Sequence, residues 1–251
     1  MNESTVTTEP TVENLILNGL CKKAEPVELK PLSGGLLYDK GLHLGYAPSG
    51  ARKSYSFAYL ASLTGKQVIY FDLEENPSGL DEYCKSLNIQ YTYAEEPSTL
   101  MNDLLNKIFD CNNYLFIFDS FSYFINDAGS NNNATDTAKI IKKSQKLSRV
   151  LGATVVIIDH ATKLYLEGKM ISFKIEGNES GKKKPLDILF RIEPMDFSNY
   201  KGDVKFIVEK SRCKDLHVGN IKFVNSYEKY IKDGRTDTTG QIKKKGANPC
   251  L

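Results

Sequence analysis

The strongest constraint on the fold is a set of short apolar runs that each end near a carboxylate. Gln67–Leu73 reads QVIYFDL, Tyr114–Asp119 reads YLFIFD, and Ala153–Asp159 reads ATVVIID. None alternates apolar with polar residues, so both faces of each strand must be covered. Amphipathic segments at helical spacing lie between them. These are Ser54–Thr64, closed by Gly65; Ser78–Ser86, with Ser78 as N-cap; Ser98–Phe109; and Asp136–Leu151, closed by Gly152. A first strand is expected in Leu36–Leu44 and a short helix over Val12–Cys21. Such alternation gives an α/β fold, a mainly parallel sheet with helices on both faces. From Lys169 onward the pattern becomes strand-rich: Lys169–Ile175, Leu186–Ile192, Val204–Glu209 and Asn220–Val224. These late strands are expected to extend the sheet antiparallel. The expected organisation is an N-terminal extension over 1–29, a core domain over 30–225 and a basic flexible tail over 226–251.

Composition narrows the class. With 41% hydrophobic and 25% charged residues, the chain has the balance of a globular domain rather than of a fibrous or disordered one. No apolar run approaches the ~20 residues of a membrane span. The polar start MNESTVTTEP lacks the pattern of a signal peptide. A cytoplasmic location is expected, the host cytoplasm if the source is viral or plasmid-borne, with no membrane partner. Five scattered cysteines with no CxxC pair argue against a zinc site or disulfide framework. Charge is uneven: residues 182–251 carry +7 and residues 1–181 carry −5. A basic C-terminal third suits a polyanionic partner, and it also suits solvated lysines.

The segment before the first expected helix reads Leu44-Gly-Tyr-Ala-Pro-Ser-Gly-Ala-Arg-Lys-Ser54. A small-residue loop between a strand and a helix is the setting of a phosphate cradle. Ala47, Pro48, Ser49, Gly50, Ala51 and Arg52 would aim backbone N–H groups at phosphates, and the helix N-terminus adds partial positive charge. Lys53 would reach the outer phosphates, Ser54 would ligate Mg²⁺, and Tyr55 follows in the first helical turn. The pattern G-x-x-x-x-G-K-[ST] fits from Ala47, with Arg52 at its second glycine. It fits both glycines from Gly45, but then Ala51 stands where lysine belongs. The first register is preferred because it opens the helix on Lys53–Ser54. If the Arg52 position needs a positive φ, the strain costs roughly 1–2 kcal/mol.

Four strand ends add chemistry. Asp119 would hold the hydrated metal. Glu74, after YFDL, would polarise an attacking water. His160 would sense the terminal phosphate. Lys210 and Arg212, in VEKSR, would reach a neighbouring subunit's phosphates. Each feature taken singly also suits an ordinary turn.

In order and spacing the chain resembles the RecA-like P-loop ATPases, and most nearly the RepA-type hexameric replicative helicases of plasmids and phages and their archaeal relatives. The resemblance covers about residues 30–224. APSGARKS is similar to the Walker A loop, FIFDS to Walker B, YFDLE to the strand of the catalytic glutamate, IIDHATK to the His-x-x-Lys sensor strand, and VEKSR to the trans-acting finger strand. The resemblance implies ATP and Mg²⁺ as cofactors and hydrolysis between subunits of a homo-oligomeric ring or filament. It also implies a loop that meets DNA without reading sequence. EGNESGKKKP over 176–185 stands at that loop, so Lys182, Lys183 and Lys184 are its DNA-contact candidates. Three readings stay open: an ATPase acting on DNA as helicase, initiator or remodeller; a non-hydrolysing nucleotide-dependent assembly or regulatory protein; and a partner platform.

Overall fold

The structure, a computed structural model, describes residues 28–74, 79–94, 96–107, 110–127, 134–166, 169–175, 179–195 and 203–226. The expected helix over 12–21, the Ser78 cap and most of the two terminal segments lie outside them. Along the chain come β1 (Pro31–Leu32), β2 (Leu37–Tyr38), β3 (Leu42–Ala47), α1 (Lys53–Ser62), β4 (Gln67–Asp72), α2 (Leu80–Ser86) and β5 (Gln90–Tyr93). Then follow α3 (Pro97–Lys107), β6 (Tyr114–Asp119), α4 (Phe121–Asp127), α5 (Ala134–Arg149), β7 (Thr154–Leu166) and β8 (Lys169–Ile175). The chain continues through α6 (Glu179–Lys183), β9 (Ile188–Pro194), β10 (Val204–Ser211) and β11 (Ile221–Val224).

The main sheet runs β11-β10-β9-β3-β7-β6-β4-β5. From β9 to β5 every neighbouring pair is parallel, while β10 and β11 add antiparallel to β9, and β8 folds back antiparallel on β7. The expected architecture is thus present, with one change. β9 was expected antiparallel and lies parallel to β3, because α6 lies on the connection that returns the chain from β8.

Period-two alternation within the apolar strands builds two cores. Leu115 and Ile117 pack beside Phe57 and Leu60 of α1 and Tyr83 of α2. Phe116 and Phe118 face the other way, into a layer with Met101 of α3, Phe124 of α4 and Ile141 of α5. Gly65 and Gly152, expected as helix stops, adopt left-handed φ of 72° and 81°. Ser226, taken as the start of the tail, is buried, and its carbonyl accepts the Tyr83 hydroxyl at 3.0 Å.

Three elements escaped the sequence. β5 reads QYTY, a half-exposed strand without an apolar run. α4 starts directly after Asp119, within what reads as a strand end. α6 occupies part of the stretch expected as a loop. The first strand was also misplaced: its pairing begins at Leu42 and continues to Ala47.

Candidate nucleotide site

The loop after β3 resolves the choice of register. Gly45 lies inside β3, where an added Cβ would overlap the Phe57 ring of α1. That glycine serves close packing of helix on strand, not the loop. The turn runs from Pro48, with the Ala51 N–H donating to the Pro48 carbonyl at 3.3 Å. Gly50 takes φ 79°, Arg52 is the N-cap at φ 59° and ψ 24°, and Lys53 is the first helical residue. The second-glycine position therefore does require a left-handed residue, and arginine occupies it at the cost of backbone strain. Replacing Arg52 by glycine should raise stability by up to about 1 kcal/mol, strain relief less the added chain entropy. A lower urea midpoint would mean that the guanidinium's own contacts outweigh the strain.

The C-terminal ends of β4, β6 and β7 meet this loop. Together they line a cleft of about 210 Å³ with Ser49, Gly50, Arg52, Lys53, Ser54, Tyr55, Asp72, Glu74, Leu80, Asp119 and His160. Lys53 is buried, and its ammonium donates to His160 Nδ1 at 3.4 Å. His160 Nε2 donates to Glu74 Oε1 at 2.5 Å. The Ser54 hydroxyl donates to Asp119 Oδ2 at 2.5 Å. Burial pushes the Asp119 carboxyl up against the pull of Ser54, Tyr70 and Lys53.

Glu74 and His160 form a pair about three-quarters buried on each side. Burial raises the Glu74 carboxyl, but hydrogen bonds from His160 and Ser120 and the charges of His160 and Lys53 bring it below its ordinary 4.5. The Glu74 hydrogen bond lifts His160 above its ordinary 6.5, opposed by burial and by Lys53. The His160 contribution is complete below pH 6.5 and is lost as pH rises through the raised value. The Glu74 contribution is complete above pH 4.5 and is lost as pH falls through the lowered one. The pair thus stabilises most between about pH 4.5 and 6.5. The melting temperature should fall from pH 6.5 to 8.5 in the native protein and much less in His160→Gln. Parallel curves for the two proteins would remove the pair as the cause.

A hydroxyl and a carboxylate in contact are hard oxygen donors of the kind that Mg²⁺ takes. Asp119 Oδ1 accepts no hydrogen bond among the described residues, which leaves it a lone pair for a hydrated cation. No cluster of three His, Cys, Asp or Glu suited to a metal occurs among the described residues. Ser54 and Asp119 therefore fit an ion that keeps most of its ligands as water or phosphate, and do not fit a fully protein-caged one.

The remaining candidates are placed elsewhere. Lys182 is buried, paired with the fully buried Asp159 at 2.6 Å and 4.8 Å above the Phe121 ring. It is not the exposed DNA contact expected of it: residues 179–183 are helical, and the turn of that helix brings Lys182 inward. Lys183 stays half-buried, 3.8 Å from Glu209, and Lys184 is exposed. Lys210 donates to the carbonyls of Lys183 and Lys184 at 2.5 and 2.8 Å, and Arg212 donates to that of Lys184 at 2.8 Å. These two cations satisfy carbonyls at the C-terminal end of α6, where positive charge is favoured. They are not brought to this chain's own cleft.

Sequence reasoning missed Asp72, which lines the cleft and receives hydrogen bonds from the Glu74 N–H at 2.8 Å and from the Tyr91 hydroxyl. Its signal was available: it pairs in register with Asp119 on the next strand.

No protein-family model and no curated protein matches the sequence. Solved structures do match. The RadB recombinase superposes with a TM-score of 0.55 at 16% identity, over 77% of this chain and 90% of that one. The fold is that of a RecA-like ATPase domain. The ATPase domain of a helicase is also similar, with a TM-score of 0.52 at 13% identity over 74% of this chain and 81% of that one. At these identities the RecA-like fold is what the likeness carries. No described helix is long and apolar enough to cross a membrane.

Proposed function

We propose that this RecA-like chain binds ATP with Mg²⁺ and hydrolyses it while acting on DNA, as a helicase, initiator or remodeller of the RepA-type group. The observation that carries the reading is the convergence of Lys53, Ser54, Asp119, Glu74 and His160 on one cleft beside a helix N-terminus. Those residues come from separate strand ends, which supports one shared ligand better than separate turns.

In this reading the loop amides and Lys53 hold the phosphates. Ser54 and Asp119 hold the cation, which when bound neutralises charge developing on the phosphates. Glu74 accepts a proton from water once its hydrogen bond to His160 opens. The open geometry has His160 free to donate to a phosphate oxygen in place of Glu74. Lys184 and Lys183 remain the DNA-facing candidates, through charge alone. A trans role for Lys210 and Arg212 in a ring or filament requires their release from the α6 carbonyls.

The strained Arg52 favours one further reading, a nucleotide binder that does not turn over. Phosphate release from ATP, with and without single-stranded DNA, separates the two. DNA-stimulated turnover that Lys53→Ala removes supports the motor. Nucleotide binding without turnover, restored to turnover in Arg52→Gly, supports the static binder. Absence of nucleotide binding in every form refutes both.

A further inference from the structure

Tyr70 is fully buried in the middle of β4, with Ile117 of β6 and Tyr91 of β5 as its register partners. Its hydroxyl donates at 2.5 Å to Oδ2 of Asp119, two residues beyond Ile117. Tyr91 repeats the same diagonal one strand further out, donating to Oδ2 of Asp72, two residues beyond Tyr70. Such diagonal neighbours on adjacent strands lie about 7–8 Å apart, within reach of a long side chain. The two rings stack with centroids 5.8 Å apart and planes at 21°.

Asp119 Oδ2 thus receives two donors, Ser54 and Tyr70. They differ in rigidity. A serine hydroxyl rotates to suit its surroundings. The Tyr70 ring is enclosed by the core and stacked on Tyr91, so its oxygen has one position. Turning the Asp119 carboxylate would break the Tyr70 bond, and the oxygen this leaves open is Oδ1.

We infer that Tyr70 is a positioning residue for the cation: its hydroxyl fixes the Asp119 carboxylate in the orientation that shares Mg²⁺ with Ser54. The inference rests on the nucleotide-and-magnesium reading above. Groups that orient a metal ligand typically contribute about 10–100-fold to metal affinity.

The test is a Mg²⁺ titration of the binding of a fluorescent ATP analogue to the full chain. In Tyr70→Phe the Mg²⁺ concentration for half-maximal tightening should rise about tenfold, while affinity in EDTA stays within about twofold. Tyr91→Phe keeps the stacked ring and removes only the hydroxyl to Asp72, so its Mg²⁺ requirement should match the native one. An unchanged requirement in Tyr70→Phe overturns the inference. So does an equal loss with and without Mg²⁺, which marks a merely structural role, or an equal shift in Tyr91→Phe. A native protein that binds no analogue, or binds it with no response to Mg²⁺, fails at the earlier step and refutes the functional reading itself.

Discussion

Lys182→Ala should destabilise the protein by about 3–5 kcal/mol, the usual cost of removing one partner from a buried ion pair. Asp159 has no exposed surface, and its two oxygens accept from the Lys182 ammonium and the His160 N–H. Burial already pushes the Asp159 carboxyl up, and Lys182 is the main influence holding it down. Without that ammonium the carboxylate must either stay charged in an apolar setting or take up a proton. The cation's position over Phe121 adds a smaller loss. The double variant Lys182→Met with Asp159→Asn removes both charges and should recover most of the stability. Urea unfolding of the three proteins reads the difference. A loss near that of an exposed lysine, under about 0.5 kcal/mol, would show that Lys182 lies outside.

The second large effect belongs to Lys53. In Lys53→Ala, ATP affinity should fall roughly a hundredfold, about 3 kcal/mol, as for other truncations of a desolvated charge partner. Lys53 is the first residue of α1, is buried, and reaches only His160 among the described hydrogen-bond partners. That contact is long and joins two groups whose charges repel when His160 is protonated. The lysine is therefore held in the cleft by the fold rather than by a carboxylate partner, and a phosphate would relieve it. Its removal should leave the melting temperature of the apo protein nearly unchanged. Equilibrium binding of a fluorescent ATP analogue measures the effect. An affinity within threefold of native would exclude the loop as the phosphate cradle.

The sequence revealed the parallel core because β4, β6 and β7 are apolar on both faces, a pattern only a doubly covered sheet can use. It also placed Lys53, Ser54, Glu74, Asp119 and His160, since each stands at a strand end or the adjoining turn. The strand ends nearest one another in space, Asp72 and Asp119, were not both seen, because register between β4 and β6 is a property of pairing. Tyr70 was hidden for the same reason: inside an apolar run its ring reads as core, and its hydroxyl acquires a partner only across strands. Lys182, Lys183 and Lys184 read as one basic run. A short helix separates them, turning Lys182 into the interior and leaving Lys184 outside. Lys210 and Arg212 read as free cations because nothing in VEKSR discloses the carbonyls 26–28 residues earlier that they serve.

Space and chain order disagree in the middle of the sheet: β7 is inserted between β3 and β6 although it is synthesised after both. The phosphate loop and the Asp119 strand are consequently joined by a wedge that arrives late. During translation, an emerging polypeptide that ends before Thr154 owns the loop, Glu74 and Asp119 yet lacks the strand that seats them side by side. Ligand capture on the ribosome should therefore switch on only after residues beyond His160 clear the exit tunnel, and until then the open flanks of β3 and β6 are the surfaces a chaperone would have to shield.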